Sequence, residues 1–305
     1  MPASTRRVGR SPLEFAIGQQ QSLAAAHKAW SRTARRGVLH AAIALVLACG
    51  VAPPAMAAAG EHYFDSDGVR IRYTTDGNEA GEPVILVHGY TASGATNWRV
   101  PGMIERLAPH YRVITIDNRG HGGSDKPRRV DQYGVHMVED VVRLMDHLQL
   151  DSAHVVGYSM GGMITLKLAS LHPQRVRSGV IGGMGWLHAG ASPLDEDSST
   201  DASAAADDAA DAELEPLVAC RRAFARMGLT RAELEAVRTP LVVVVGTDDS
   251  LRERMVTPLE EARPDIPIVL VEGANHLSCV FHPKLRDAVS AFLAEQTGRA
   301  ADEGE

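Results

Sequence analysis

Short apolar segments that end in glycine or polar residues recur along the chain from residue 61 onward. Residues 69–73 alternate between apolar and polar side chains, as a strand with one face in water does. The other segments lack this alternation, which is typical of strands buried on both faces of a sheet. They are residues 83–87, 111–116, 154–156, 180–181, 241–245 and 268–271.

Helical spacing lies between the strand-like segments, most clearly over residues 135–150. Apolar side chains recur there at intervals of three and four, so they form one helix face, and we expect the other face to contact water. The residues of that polar face are Glu139, Asp140, Arg143 and Asp146. Strands that alternate with helices predict an α/β fold, with a mostly parallel, twisted sheet of about eight strands flanked by helices. Ligands of such sheets bind beyond the carboxyl ends of the strands.

An acidic segment interrupts the alternation after the sixth predicted strand. Residues 190–216 contain nine acidic residues and no basic one, a composition that buries little apolar area and favours a mobile, solvated loop. The ligand spacing of a calcium-binding loop is missing. We predict a domain over residues 58–297, a small cap inserted over about 187–236 that includes this loop, and a disordered tail over 298–305.

Residues 1–57 have the features of an export signal peptide. Arg35 and Arg36 precede the mostly apolar residues 38–52, and residues 55–57 (Ala-Met-Ala) match the small-x-small pattern that signal peptidases cleave. The apolar segment is too short to serve as a membrane anchor.

The arginine pair resembles a twin-arginine export signal, which predicts a periplasmic or secreted protein. The alternative is a lipoprotein, because residues 46–49 approximate a lipobox in which Cys49 becomes the lipidated first residue. Leu47 fits that motif poorly. We expect contact with a membrane only if Cys49 is lipidated.

Charge and cysteine content exclude several classes of function. The net charge is −7, and residues 1–57 carry seven basic residues and one acidic residue, so the remainder carries −13. An acidic domain without a stripe of Lys and Arg argues against nucleic acid as a partner. Cys220 and Cys279 are too few for a disulfide framework, and their pairing and the oligomeric state stay open. We predict no cofactor and no metal, since the chain has no GxxxxGK[ST] loop and no zinc-spaced Cys/His set.

Residues 157–162 (Gly-Tyr-Ser-Met-Gly-Gly) contain the motif on which the functional hypothesis depends. Strand-like residues precede it and a helical pattern follows, so we expect Ser159 on a sharp strand-to-helix turn. Glycines two positions before and after the serine are needed because side chains there would collide with neighbouring backbone. The turn exposes the Ser159 hydroxyl and directs the Met160 N–H toward the group that the serine attacks.

A serine nucleophile needs a neutral imidazole as its base and a carboxylate that orients the imidazole. Asp248 and Asp249 follow one late strand, and His276 follows the next, which gives the order Ser, Asp, His. We favour Asp249 as the orienting acid, because the third residue after Gly246 should point back over the strand end. Asp248 is the alternative.

The loop after residues 83–87 should supply the second oxyanion donor. We expect this donor to be the Tyr90 N–H, with Gly89 allowing a close approach of the backbone. His88 is predicted to be structural, bonded to loop backbone rather than acting as a base. We expect about half of the candidate residues of an apolar acyl pocket to touch substrate, and these candidates are Trp98, Tyr158, Met184, Trp186 and Leu277.

Taken together, the motifs resemble those of the α/β-hydrolase superfamily, in its serine-nucleophile, esterase- and lipase-like branch. The resemblance covers about residues 61–297 and rests on residues 88–90, 117–124, 157–162, 246–249 and 273–276. It implies a triad of Ser159, Asp249 and His276, with the Tyr90 and Met160 amides as the oxyanion hole. Residues 117–124 then correspond to a scaffold turn. The acidic segment departs from the helical, apolar caps of the family.

The expected function is hydrolysis of a carboxylic ester or related acyl bond of a small molecule, through an acyl-enzyme on Ser159. Cofactor-free haloperoxidase- or perhydrolase-like enzymes and carbon–carbon bond hydrolases share these motifs and are the alternatives. Epoxide hydrolases and haloalkane dehalogenases carry an aspartate at the elbow, so Ser159 argues against them. A non-catalytic binding module is the alternative from another class, although such members typically lack a triad residue.

Overall fold

The computed structural model describes residues 60–191 and 215–299. They contain one sheet of eight strands in the order β1-β2-β4-β3-β5-β6-β7-β8. The strands are β1 Gly60–Ser66, β2 Val69–Gly77, β3 Glu82–Val87, β4 Tyr111–Ile116, β5 Ala153–Tyr158, β6 Val176–Gly182, β7 Leu241–Gly246 and β8 Ile268–Val271. The pairs β1–β2 and β2–β4 are antiparallel, and the other five pairs are parallel. The predicted α/β fold with a mostly parallel sheet is confirmed.

The central strands are buried on both faces, as their continuous apolar sequences predict. In β7, Val242 and Val244 belong to one apolar cluster, whereas Val243 and Val245 belong to the other. Neighbouring residues of a strand point to opposite faces, so the two clusters are the two sides of the sheet. The sheet is therefore covered on both sides, and its carboxyl edge is where side chains can reach a substrate.

The described residues contain seven α-helices. They are α1 Met103–Leu107, α2 Val135–His147, α3 Met160–Leu171, α4 Pro216–Arg222, α5 Arg231–Ala236, α6 Thr257–Ala262 and α7 Pro283–Gln296. His282 is the N-cap of helix α7 and accepts a hydrogen bond from the Lys284 N–H. No helix of the described part is long and apolar enough to cross a membrane.

Helix α2 corrects one prediction about its polar face. Asp140 is fully buried rather than exposed to water. Its carboxylate accepts hydrogen bonds from Arg119 Nε at 2.7 Å and Arg119 Nη2 at 2.6 Å. A buried carboxylate is stable when it is paired in this way. The helical period cannot reveal this partner, because Arg119 comes from the loop after β4.

The described part of the cap lies between β6 and β7. It consists of α4, a 3₁₀ turn at Phe224–Met227 and α5. A capping box between Thr230 and Glu233 starts α5. Most of the acidic segment, the export signal with Cys49, and residues 300–305 of the tail lie outside the described residues, and these predictions remain untested.

Candidate active site

The motif at residues 157–162 forms the junction between β5 and α3. Ser159 follows the last residue of β5 and has φ 55° and ψ −116°, in the left-handed region that favours glycine. The backbone around it is held by hydrogen bonds: the Ser159 N–H donates to the Gly182 carbonyl at 2.7 Å, and the Ser159 carbonyl accepts from the Gly162 N–H at 2.8 Å. The strained conformation sets the serine apart from the regular structure on either side.

Both flanking glycines of this junction are required by close backbone contacts. A Cβ added at Gly157 would lie 2.0 Å from the Gly161 carbonyl oxygen. A Cβ added at Gly161 would lie 2.0 Å from the Val87 carbonyl oxygen at the end of β3. The helix can therefore approach the two strands only if both positions lack a side chain.

Three predicted site residues from three strand ends come together at this junction. His276 Nε2 lies 2.9 Å from Ser159 Oγ, and His276 Nδ1 lies 2.8 Å from Asp249 Oδ2. The Asp249 side chain is completely buried, whereas the His276 side chain is 27% exposed. The serine hydroxyl, the imidazole and the carboxylate thus form one hydrogen-bonded series that is open at the serine end.

The two neighbouring acids of the β7 loop have different environments. The second oxygen of Asp249 accepts a hydrogen bond from the Leu251 N–H at 3.0 Å, which fixes the carboxylate against the imidazole. Asp248 is exposed and accepts from the Thr247 hydroxyl. The structure therefore brings Asp249, and not Asp248, to His276.

The loop after β3 lies directly against the serine. A Cβ added at Gly89 would lie 3.2 Å from the Ser159 Cβ. The Gly89 N–H donates to Asn97 Oδ1 at 2.7 Å, which anchors the loop beside Tyr90. Met160 is the first residue of α3, so its N–H belongs to the amides that have no partner within their own helix. Asn97 was missed in the sequence, where no motif marks it.

His88 is a structural residue of this loop. It is fully buried, its Nδ1 lies 2.7 Å from the Gly89 carbonyl oxygen, and its Nε2 lies 3.0 Å from the backbone nitrogen of Asn118. Nδ1 therefore donates and Nε2 accepts, which is the pattern of a neutral ring. Burial, together with the neighbouring His121, lowers the pKa of His88 to about 4. The predicted contact with loop backbone is present.

The five predicted pocket residues lie in three different environments. Trp98 is buried in the cluster that contains Met103 and Leu107 of α1. Met184 and Trp186 belong to the other cluster, together with cap residues such as Phe224. Leu277 is 78% exposed beside His276.

Tyr158, the remaining pocket candidate, has a different contact from the one predicted. Its hydroxyl donates to the carbonyl oxygen of His276 at 2.6 Å, and its side chain is buried. Burial is also the main reason that its pKa is raised. Tyr158 is therefore in contact with the histidine turn and is not available as a pocket wall.

Both remaining cysteines are buried free thiols. Cys220 Sγ lies 3.8 Å from Met160 Sδ, and burial raises its pKa to about 12. Among residues 60–191 and 215–299, no group of three or more His, Cys, Asp or Glu side chains could hold a metal ion. A cavity of about 700 Å³ lies away from the triad, and no predicted site residue lines it. Its wall includes Arg238, Leu241, Ile266, Val269 and Phe292.

Comparison with known proteins identifies a family model and related sequences that each match only part of this chain. Residues 82–203 match the family model for the alpha/beta hydrolase fold. The chain is 40% identical over 122 residues to the dihydrolipoyllysine-residue acetyltransferase component of the acetoin cleaving system of Cupriavidus necator, which covers 40% of this chain and 31% of that protein. It is 37% identical over 116 residues to 2-hydroxymuconate semialdehyde hydrolase of Pseudomonas sp. strain CF600, covering 37% and 40% of the two chains. The chain thus spans less than half the length of either relative.

Solved structures extend the similarity to the whole described domain. A serine hydrolase involved in carbazole degradation superposes with a TM-score of 0.57 and 26% identity, and the match covers 78% of this chain and all of the other. The strand order, the sharp turn at Ser159 and the arrangement of the three strand ends thus occur within a fold that solved hydrolases share.

Proposed function

We propose that this chain, which belongs to the α/β-hydrolase superfamily, is a serine hydrolase that cleaves a carboxylic ester or a related acyl bond. The observation that carries the proposal is the hydrogen-bonded series from Ser159 through His276 to Asp249. A carboxylate on Nδ1 keeps the proton on that nitrogen, so the lone pair of Nε2 faces the serine hydroxyl. A serine and a histidine in contact without the acid would lack this control of the tautomer.

In the proposed reaction, Ser159 Oγ attacks the acyl carbon while His276 Nε2 takes the hydroxyl proton. The imidazolium that forms is stabilised by the buried Asp249 carboxylate. It then donates its proton to the departing alcohol oxygen, and the acyl group remains on Ser159. A water molecule attacks the acyl carbon, gives its proton to His276, and the acid is released as the proton returns to Ser159.

The carbonyl oxygen of the substrate becomes negative during both attacks. We propose that the N–H groups of Tyr90 and Met160 bind this oxygen. The contact of Gly89 with Ser159 and the position of Met160 at the start of α3 support this assignment. The loss of one such donor typically lowers kcat by about 10²–10³-fold.

The acyl group would bind on the cap side of the sheet. Met184 and Trp186 lie in the apolar cluster that joins the end of β6 to the cap, and Phe224 of the cap packs its ring edge-on against Tyr90. The exposed Leu277 adds an apolar side chain beside the histidine. These contacts favour substrates whose acyl group is apolar.

Replacement of Ser159 by alanine tests the proposal. We expect Ser159→Ala to lower kcat on a short-chain aryl ester by at least about 10⁴-fold. A phosphonate probe should label the wild-type protein on the peptide that contains Ser159. Ser250→Ala is the matched control, because Ser250 is an exposed serine beside Asp249, and we expect it to keep wild-type turnover. Undiminished turnover by Ser159→Ala would refute the nucleophile.

Carbon–carbon bond hydrolysis is the second candidate, since one relative is a 2-hydroxymuconate semialdehyde hydrolase. A panel of aryl esters with graded acyl length, run beside that semialdehyde, separates the two reactions. A kcat/KM for an ester that is at least 10 times that for the semialdehyde, roughly the discrimination that one group in a pocket provides, supports the first candidate. Turnover of the semialdehyde with no ester cleavage supports the second.

A further inference from the structure

Tyr158 precedes the proposed nucleophile, and the proposed reaction does not use its side chain. The hydroxyl donates to the His276 carbonyl oxygen at 2.6 Å, and the two residues are 118 positions apart in the sequence. The centroids of the Tyr158 and His276 rings are 5.7 Å apart. A residue at the end of β5 is thus bonded to the turn that carries the histidine after β8.

The histidine turn is held together mainly by its own hydrogen bonds. Asn275 Oδ1 accepts from the Leu277 N–H at 3.0 Å and from the Ser278 N–H at 2.9 Å, and the Asn275 carbonyl accepts from the Cys279 N–H at 3.0 Å. These bonds fix the shape of the turn but not its distance from Ser159. The adjacent Leu277 is 78% exposed, so its side chain adds little packing to hold the turn in place.

Tyr158 is itself held firmly. A Cβ added at Gly182 would lie 2.7 Å from Tyr158 Cδ2, and one added at Gly183 would lie 2.8 Å from its Cζ. The backbone at the end of β6 therefore lies directly against the ring. The side chain of the buried Cys279 also contacts the hydroxyl. The hydroxyl is consequently a rigid anchor.

We propose that Tyr158 is a positioning residue, whose hydroxyl holds the His276 turn at the distance from Ser159 that proton transfer requires. This inference rests on the proposed function, because it assigns Tyr158 a task in the same triad. A displacement of about 1 Å in such an arrangement can cost on the order of 10²-fold in rate. Two bonds between the β7 and β8 loops remain when the hydroxyl is removed, from the Asp248 N–H to the Ala274 carbonyl at 3.0 Å and from the Gly273 N–H to the Thr247 hydroxyl oxygen at 2.8 Å. We therefore expect a smaller loss.

Tyr158→Phe removes the hydroxyl and keeps the ring. Tyr133→Phe is the matched control, because Tyr133 is also buried and its hydroxyl donates to a backbone carbonyl, that of Pro127, at 2.7 Å. We expect Tyr158→Phe to lower kcat on an aryl ester, and the rate of Ser159 phosphonylation, by about 10-fold, with KM within about 2-fold of wild type. Tyr133→Phe should keep both rates within about 2-fold of wild type. The free energy of unfolding in urea should decrease by a similar amount in the two variants, since each loses one buried hydrogen bond.

Wild-type kcat in Tyr158→Phe, or equal rate losses in the two variants, would overturn the proposal. Proton NMR provides a readout without turnover. The His276 Nδ1–H resonance should be sharp in wild type and Tyr133→Phe and broadened in Tyr158→Phe. If no ester is cleaved and Ser159 is not labelled, the proposed function fails, whereas the NMR comparison still tests the anchor.

Discussion

The stability of the domain should decrease below pH 6.5 because His88 is buried in its neutral form. Its Nδ1 lies 2.7 Å from the Gly89 carbonyl oxygen, and its Nε2 lies 3.0 Å from the backbone nitrogen of Asn118. A proton on Nε2 would place two donors against each other. Burial, together with the positive charge of a protonated His121, lowers the pKa of His88 to about 4.

The sign and size of the effect follow from the two pKa values. An unfolded histidine has a pKa near 6.5, so between pH 6.5 and 4 the unfolded chain binds a proton that the folded protein does not. Stability is therefore complete above pH 6.5 and decreases as the pH falls to 4. The difference of about 2.5 between the two pKa values corresponds to about 3 kcal/mol of unfolding free energy, at about 1.36 kcal/mol per pH unit. Burial also lowers the pKa values of His121 and His154, so both add to the loss in the same direction.

Urea unfolding followed by tryptophan fluorescence measures this loss. For wild type we expect the unfolding free energy to decrease by at least about 3 kcal/mol between pH 7.5 and pH 4. His88→Gln should be less stable than wild type at pH 7.5, because the two bonds of the imidazole are lost. Between pH 6.5 and 4, however, its unfolding free energy should change less steeply than that of wild type, by about 1.4 kcal/mol per pH unit. Measurements from pH 7.5 to 8.5 are the internal control, since these three histidines do not titrate there. Equal pH slopes in wild type and His88→Gln would refute the reasoning.

Two further predictions concern the site. Asp249→Asn should lower kcat by about 10⁴-fold, because the acid no longer fixes the tautomer of the imidazole. Asp248 is exposed, so Asp248→Asn should lower kcat by less than about 10-fold. Ester kinetics measure both variants, and the reverse order would contradict the assignment of Asp249. Gly161→Ala should lower the unfolding free energy by about 1–3 kcal/mol, because its Cβ would lie 2.0 Å from the Val87 carbonyl oxygen; urea unfolding at wild-type stability would show that the contact relaxes without cost.

The meeting of Ser159, Asp249 and His276 could be predicted because each residue stands in a local motif at the end of an apolar strand. Ser159 is marked by its glycines, and Asp249 and His276 by their positions after β7 and β8. The parallel order of the strands then brings these ends to one edge of the sheet. Sequence pattern and fold give the same answer here, as is usual where local preference and tertiary structure agree.

Contacts between distant segments could not be predicted in this way. The helical period of α2 assigns Asp140 to a face in water, yet Arg119 from another loop pairs with it in the core. Trp98 follows β3, as a pocket residue would, yet it is buried in a cluster that includes Leu285 and Val289 of α7. The environment of both residues is decided by a partner that is remote in sequence.

The junction at residues 157–162 determines more of the site than the position of the serine. The hydroxyl of Tyr158 contacts the histidine turn, Met160 Sδ lies 3.8 Å from Cys220 in α4 of the cap, and Gly161 contacts the end of β3. The turn that carries His276, the cap and the end of β3 therefore each touch one residue of the junction. Substitutions at the two variable positions of a G-x-S-x-G motif are expected to be tolerated by the turn itself. In this protein they should alter the alignment of the histidine and the cap, because Tyr158 and Met160 are the residues through which the junction contacts both.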